Sequence, residues 1–233
     1  IIYCDKCGYA ADQEKAESKD NKYKTDEEMK EVVEVSTPRQ KTIEEVSSFL
    51  NVDPKDVVKS MVYIDMFNNV PVVVMVRGDR NINEIKVVNA LNIAEHELRL
   101  ATYDEIVSMG SVEGFVGPVG LNVKVLVDSE VASMKNIVVG ANKKDVHLMN
   151  VNFGRDFTGE VLQVRATVEG DVCPVCGAPL AMERGIEVGQ IFKLGTKYSK
   201  PMNCVYTNDA GVNTPMVMGC YGIGVTRTMS SII

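Results

Sequence analysis

Met218-Gly219-Cys220-Tyr221-Gly222-Ile223-Gly224-Val225-Thr226-Arg227 reads as a glycine-rich strand running into a helix, with an arginine at the junction. Glycines let another surface approach the backbone closely, and the arginine offers a fixed fork of donors suited to phosphate oxygens. Two glycines and an arginine at one such turn are weak evidence alone. They gain weight from an upstream run, Arg184-Gly185-Ile186-Glu187-Val188-Gly189-Gln190-Ile191-Phe192-Lys193-Leu194-Gly195-Thr196-Lys197-Tyr198-Ser199. The last part of the chain has short strands, many glycines and almost no amphipathic helix before Thr226, a pattern that suits an antiparallel sheet.

The middle of the chain reads differently. Thr42-Ile43-Glu44-Glu45 matches a capping box before a helix with Ile43, Val46, Phe49 and Leu50 on one face. Asp53-Pro54 reads as an N-cap followed by proline at the first helical position. Residues 59–66 and 70–77 are apolar, β-branched runs around Asn68-Asn69, the pattern of a hairpin. Residues 83–91 predict a helix and 98–101 a short strand; Thr102-Tyr103-Asp104-Glu105 is a second capping box, with Gly110 as its stop. Strands are predicted over 124–128, 136–139 and 146–151. Helices alternating with strands and hairpins indicate a mixed α/β domain. Residues 12–31 are a mixed charge run with few apolar positions, read as a solvated linker or exposed helix.

Composition narrows the class. At 233 residues the chain holds one large domain or two small ones, and 45% hydrophobic content supports a sizeable core. A net charge of −7 argues against a general nucleic-acid binder coated in Lys and Arg, though a small local basic patch would suffice to grip one end of an RNA. No apolar run reaches the roughly 18 residues of a membrane helix, and no secretory leader is visible. Six cysteines in that context favour reduced thiols or a metal over disulfides.

Four of those cysteines form two CxxC knuckles, Cys4/Cys7 and Cys173/Cys176, each followed by glycine (Gly8, Gly177). Two knuckles that meet in space make a tetrahedral zinc site. Knuckles so far apart in sequence meet if everything between them is an insertion whose ends leave the parent domain side by side. The alternative is four ordinary thiols, as Cys204 is read to be.

The 184–199 and 218–227 runs together closely resemble bacterial prolyl-tRNA synthetases, and GIGVTR resembles motif 3 of the class II synthetases. The chain starts Ile1-Ile2-Tyr3 and stops at Ile233, so the resemblance implies an internal fragment, with motifs 1 and 2 upstream and an anticodon-binding domain downstream. The implied fold is α/β (α+β): a mixed-sheet editing domain of the bacterial deacylase type, inserted in part of a class II antiparallel-sheet domain. The expected boundaries are a stem over 1–17, the editing insertion over 18–165, and the second knuckle with the synthetase segment over 166–233.

The resemblance also maps an editing site onto Lys59 in Val57-Val58-Lys59-Ser60-Met61, onto the GxxxP loop Gly114-Phe115-Val116-Gly117-Pro118, and onto Asp128 and His147. Such a lysine holds a phosphate as a point charge, and loop N–H groups face an ester carbonyl and its developing oxyanion. Each residue has a plainer reading: a snorkelling lysine, a turn, a helix cap at Asp128, and a hydrogen-bonded histidine. Gly222, Gly224 and Arg227 match the part of motif 3 that faces ATP. Gln190 and Cys220 fall in the proline pocket, where the family usually carries His at the place of Gln190. Adenylation also needs the motif 2 arginine, which this chain does not contain, so these residues alone are not expected to aminoacylate.

The implied parent is a cytoplasmic, homodimeric ligase that joins proline to tRNA(Pro) using ATP and Mg2+, with a structural Zn2+. Its insertion hydrolyses alanine mischarged onto that tRNA. The rival is a non-catalytic module that grips the tRNA acceptor end. A stand-alone zinc-ribbon protein leaves RGIEVG and GCYGIGVTR unexplained.

Overall fold

A computed structural model describes residues 1–232, which form two compact units, Ile1–Met182 and the segment from Glu183 onward. The larger unit is built on a mixed five-stranded sheet in the order Glu160–Leu162, Lys124–Asp128, Val70–Arg77, Val58–Asp65, Leu98–Leu100. The first three strands run parallel to one another; Val58–Asp65 is antiparallel to both its neighbours. This is the mixed α/β fold expected from the pattern.

Val70–Arg77 is central because its run of β-branched residues can be buried on both faces. Strand alternation sends Val73 and Met75 to one core, with Ile106, Val131, Val139 and Val151, and Val72, Val74 and Val76 to another, with Val87 and Val164. On the first face lies a three-stranded antiparallel sheet, Val33–Ser36, Val146–Val151 and Ile137–Gly140, joined to the main sheet's edge by a bridge from Val57 to Val138.

The helix signals hold. Thr42 caps Ile43–Leu50 and Thr102 caps Tyr103–Ser108, each through a reciprocal bond with the glutamate three residues on. Asn83 caps Glu84–Leu91, while Asp53-Pro54 opens a 3-10 turn, Pro54–Asp56. Gly110 ends its helix at φ +88°, a conformation glycine adopts freely.

Residues 12–31 differ from expectation. They contain no helix and are not a free linker: Ala16 and Ser18 are buried, and Tyr23 and Lys24 bond Asp56. The anchors are residues far along the chain, such as Thr167, whose hydroxyl donates to the Ala16 carbonyl at 2.7 Å. Charge content alone does not reveal such contacts. At the base, Ile2–Tyr3 pairs with both Ala10–Ala11 and Ala181–Met182, so the two cysteine-bearing segments share one small sheet.

The smaller unit consists of Gly189–Gly195 paired antiparallel with Met218–Ile223, a Val205–Thr207/Asn213–Pro215 hairpin, and the helix Val225–Ile232. Among the described residues no helix is long and apolar enough to cross a membrane.

Candidate functional site

A cavity of about 460 Å³ opens where the Val58–Asp65 strand leaves its outer edge uncovered, beyond the reach of Leu98–Leu100. Its walls include Val58, Ser60 and Val62 from that strand, Thr42, Ile43, Glu44 and Val46 at a helix start, the loop residues Gly114 and Val116, and Gly140 and His147. Lys59, Gly114 and His147 all contribute to its lining.

His147 is buried, and its Nδ1 lies 2.7 Å from the Thr37 hydroxyl. The Phe115 ring stands edge-on to it at 5.5 Å. Burial lowers the pKa of the imidazole from its ordinary 6.5, which holds it neutral at neutral pH. The folded state therefore binds that proton less readily than the unfolded chain. Stability should be level above about pH 6.5 and fall as the pH drops below it. A melting series against pH checks this, and His147→Gln should flatten the slope.

The 114–118 loop is pressed backbone to backbone onto the end of strand Ile137–Gly140. A Cβ on Gly117 would sit 1.8 Å from the Gly140 carbonyl oxygen, and one on Gly140 would sit 2.2 Å from that of Phe115. Only glycine fits either place. The loop's donors divide cleanly. Phe115 N–H bonds the Val112 carbonyl and Gly117 N–H bonds Asn142, while the Gly114 and Val116 N–H groups have no partner among the described residues. Those two residues line the cavity.

Residues 37–157 match the family model of the aminoacyl-tRNA editing domain. The chain belongs to that family. It is also 48% identical over its whole length to the proline–tRNA ligase of Thermoanaerobacter sp. (strain X514) and 46% identical to that of Thermotoga maritima. It spans only 41% and 40% of those two curated relatives. A scaffold protein from work on epitope backbone grafting by computational design overlays with a TM-score of 0.50 and 14% identity, over 59% of this chain and 88% of that one, a likeness of fold alone.

In this editing domain the other expected residues lie elsewhere. Pro118, the last residue of the loop, is buried and does not line the cavity. Asp128 is also off the cavity: it caps Ser129–Ser133, accepts from the Val164 and Arg165 amides at 2.9 and 3.0 Å, and pairs with the Arg165 guanidinium at 2.9 Å. Arg165 and Asp128 belong to a buried network in which Glu130 pairs with Arg77 and Arg80, and Arg80 with Asp171. The Lys59 ammonium donates to the Arg80 carbonyl at 3.0 Å and approaches the Asn81 side chain at 3.4 Å.

Ser60, Thr37 and Asn142 were not singled out from the sequence. The Ser60 hydroxyl is buried in the cavity wall without a hydrogen-bond partner, a state a bound polar group would relieve. Its place beside Lys59 on the exposed half of the strand was the available signal.

The four knuckle cysteines come together. Their sulfurs all lie within 4.8 Å of one another, with Cys4–Cys176 at 3.5 Å and Cys7–Cys173 at 3.6 Å. Four thiolates on one zinc, with Zn–S near 2.3 Å, have sulfurs about 3.8 Å apart, so the donor set fits a metal ion. The two knuckles match: in each the glycine N–H bonds back to the first cysteine's carbonyl, and Gly8 and Gly177 take φ of +73° and +77°.

In the smaller unit Gln190 pairs with Gly222 across the two strands. A hollow of about 150 Å³ there is lined by Gln190, Gly222, Gly224 and Arg227, but not by Cys220, which pairs with Phe192 further along. Arg227 reaches Glu187 at 3.1 Å, an exposed pair of little energetic weight.

Proposed function

We propose that this editing domain hydrolyses alanyl-tRNA(Pro), and that the chain is part of a cytoplasmic, homodimeric prolyl-tRNA synthetase. The observation that carries the reading is the cavity that gathers Lys59, the 114–118 loop and His147. Water adds to the ester carbonyl. The unpartnered N–H groups of Gly114 and Val116 face the oxygen that takes up negative charge. The ribose oxygen then leaves with a proton and alanine departs as the free acid. The ester is already activated, so no side-chain nucleophile is needed. Neutral His147, held through Nδ1, orients the water or the terminal ribose. Lys59 has three N–H donors and reaches two protein oxygens, which leaves a proton for a phosphate of the tRNA end. Alanine is the expected error because a proline pocket cannot strongly reject a smaller side chain. The apolar wall of Val58, Ile106 and Val116 suits a methyl, and the reading requires that the bound tRNA end leave too little room there for the pyrrolidine ring.

Lys59→Ala should slow alanine release from alanyl-tRNA(Pro) roughly tenfold or more through the lost charge-assisted contact. Adenylation by the parent enzyme should be untouched. An unchanged deacylation rate in single-turnover assays would remove Lys59 from the mechanism. Binding of the charged tRNA without hydrolysis would favour the acceptor-end module instead.

We assign zinc to Cys4, Cys7, Cys173 and Cys176, where it would tie the two stems together without entering the chemistry. Protein purified without chelator should carry about one zinc per chain. Four freely titratable thiols and no metal would refute the assignment. In the smaller unit, Gly222, Gly224 and Arg227 are assigned to the ATP side of the parent's adenylating site, which uses Mg2+, and Gln190 and Cys220 to its proline pocket.

A further inference from the structure

We propose that Asn142 is a positioning residue that sets the selectivity of the editing cavity by clamping the loop over it; this rests on the editing reading above. Asn142 lies in the turn between strands Ile137–Gly140 and Val146–Val151, five residues before His147. It is held at φ +59°, a left-handed conformation that asparagine tolerates.

From there every polar group of the residue except its carbonyl reaches the loop or its approach. The backbone N–H donates to the Phe115 carbonyl at 2.8 Å. The side-chain oxygen accepts from the Gly117 N–H at 2.9 Å and from the Ser111 hydroxyl at 2.7 Å. The side-chain amide donates to the Gly117 and Val119 carbonyls at 3.0 and 2.9 Å. One side of the amide meets donors and the other meets carbonyls, so a single orientation satisfies all four partners.

Two consequences follow for the site. The turn that carries Asn142 also begins the strand that carries His147, so the clamp fixes the loop relative to the histidine. By engaging the Gly117 N–H, it also leaves Gly114 and Val116, which line the cavity, as the loop residues whose N–H groups have no partner among the described residues. A loop released from Asn142 would misplace those donors and widen the space beside Val116. Misplacement by about an ångström can cost two orders of magnitude in rate, and a wider pocket loses its size filter.

The test compares the wild-type chain with Asn142→Gly, which keeps the left-handed turn without strain and removes the clamp. Alanine and proline release from charged tRNA(Pro) are measured alongside hydrogen exchange at the Gly117 amide. The expected result is a roughly tenfold or greater fall in alanine release, a preference for alanyl over prolyl esters reduced by about as much, and faster Gly117 exchange. Ser111→Ala, which removes one bond to the clamp, should shift the preference the same way by less. Asn142→Asp, which sets a carboxylate oxygen against two carbonyls, should lower it further than Ser111→Ala. A folded Asn142→Gly with wild-type preference and a protected Gly117 amide overturns the proposal. If that variant does not fold, wild-type preference in both of the others overturns it equally. A wild-type chain inactive on alanyl-tRNA(Pro) would sink the editing reading and the selectivity role with it, whereas an active wild type with indifferent variants sinks the clamp alone.

Discussion

Gly140→Ala should silence alanine release and destabilise the Ile1–Met182 unit by about 3 kcal/mol. The new methyl would lie 2.2 Å from the Phe115 carbonyl oxygen and 2.5 Å from that of Val116, both backbone atoms with no rotamer to yield. Either the 114–118 loop lifts off the strand or the strand bends. Both movements separate the Gly114 and Val116 amides from His147, which faces Gly140 in the register of the two strands. Denaturant midpoints and single-turnover deacylation measure the two effects together. A stable, active Gly140→Ala protein would show that the loop does not rest where the structure puts it.

Arg165→Met should cost about 3–5 kcal/mol, the range for removing one partner of a buried ion pair. The guanidinium is fully buried and pairs with Asp128 at 2.9 Å and Asp20 at 2.9 Å. Without it, Asp128 remains a buried carboxylate that has lost its direct ion-pair partner. Combining Arg165→Met with Asp128→Asn should recover part of the loss, because the second change removes the stranded charge. Additive losses from the two single changes would mean that the pair is not coupled. The same experiment bears on the role of Asp128. If its part is to hold the Arg165 crossing, Asp128→Asn should lower stability and leave the preference for alanyl esters intact.

Local chemistry made much of the fold legible. Capping boxes at Thr42 and Thr102, the proline after Asp53 and the asparagines between two β-branched runs each specify a structure within a few residues of themselves. The cysteine knuckles were legible for a different reason: thiols at that spacing have few other uses. Contacts made over long sequence distances were not legible. The burial of residues 12–31 depends on partners such as Arg165 and Thr167. The distance of Asp128 from the cavity depends on Arg165, 37 residues on. In sequence, Asn142 is only an asparagine in a turn, and its hold on Gly117 appears once the loop and the hairpin are folded together. Of the candidate site, the lysine, the loop and the histidine were within reach of a family resemblance; the parts that hold them in place were not.

The most direct test of the editing reading is the release of amino acid from tRNA(Pro) charged with alanine or with proline, each mixed with this protein under single-turnover conditions. Alanine should be released far faster than proline, with Lys59→Ala slowing the alanine reaction; equal rates for the two esters, or no release of either, would contradict it.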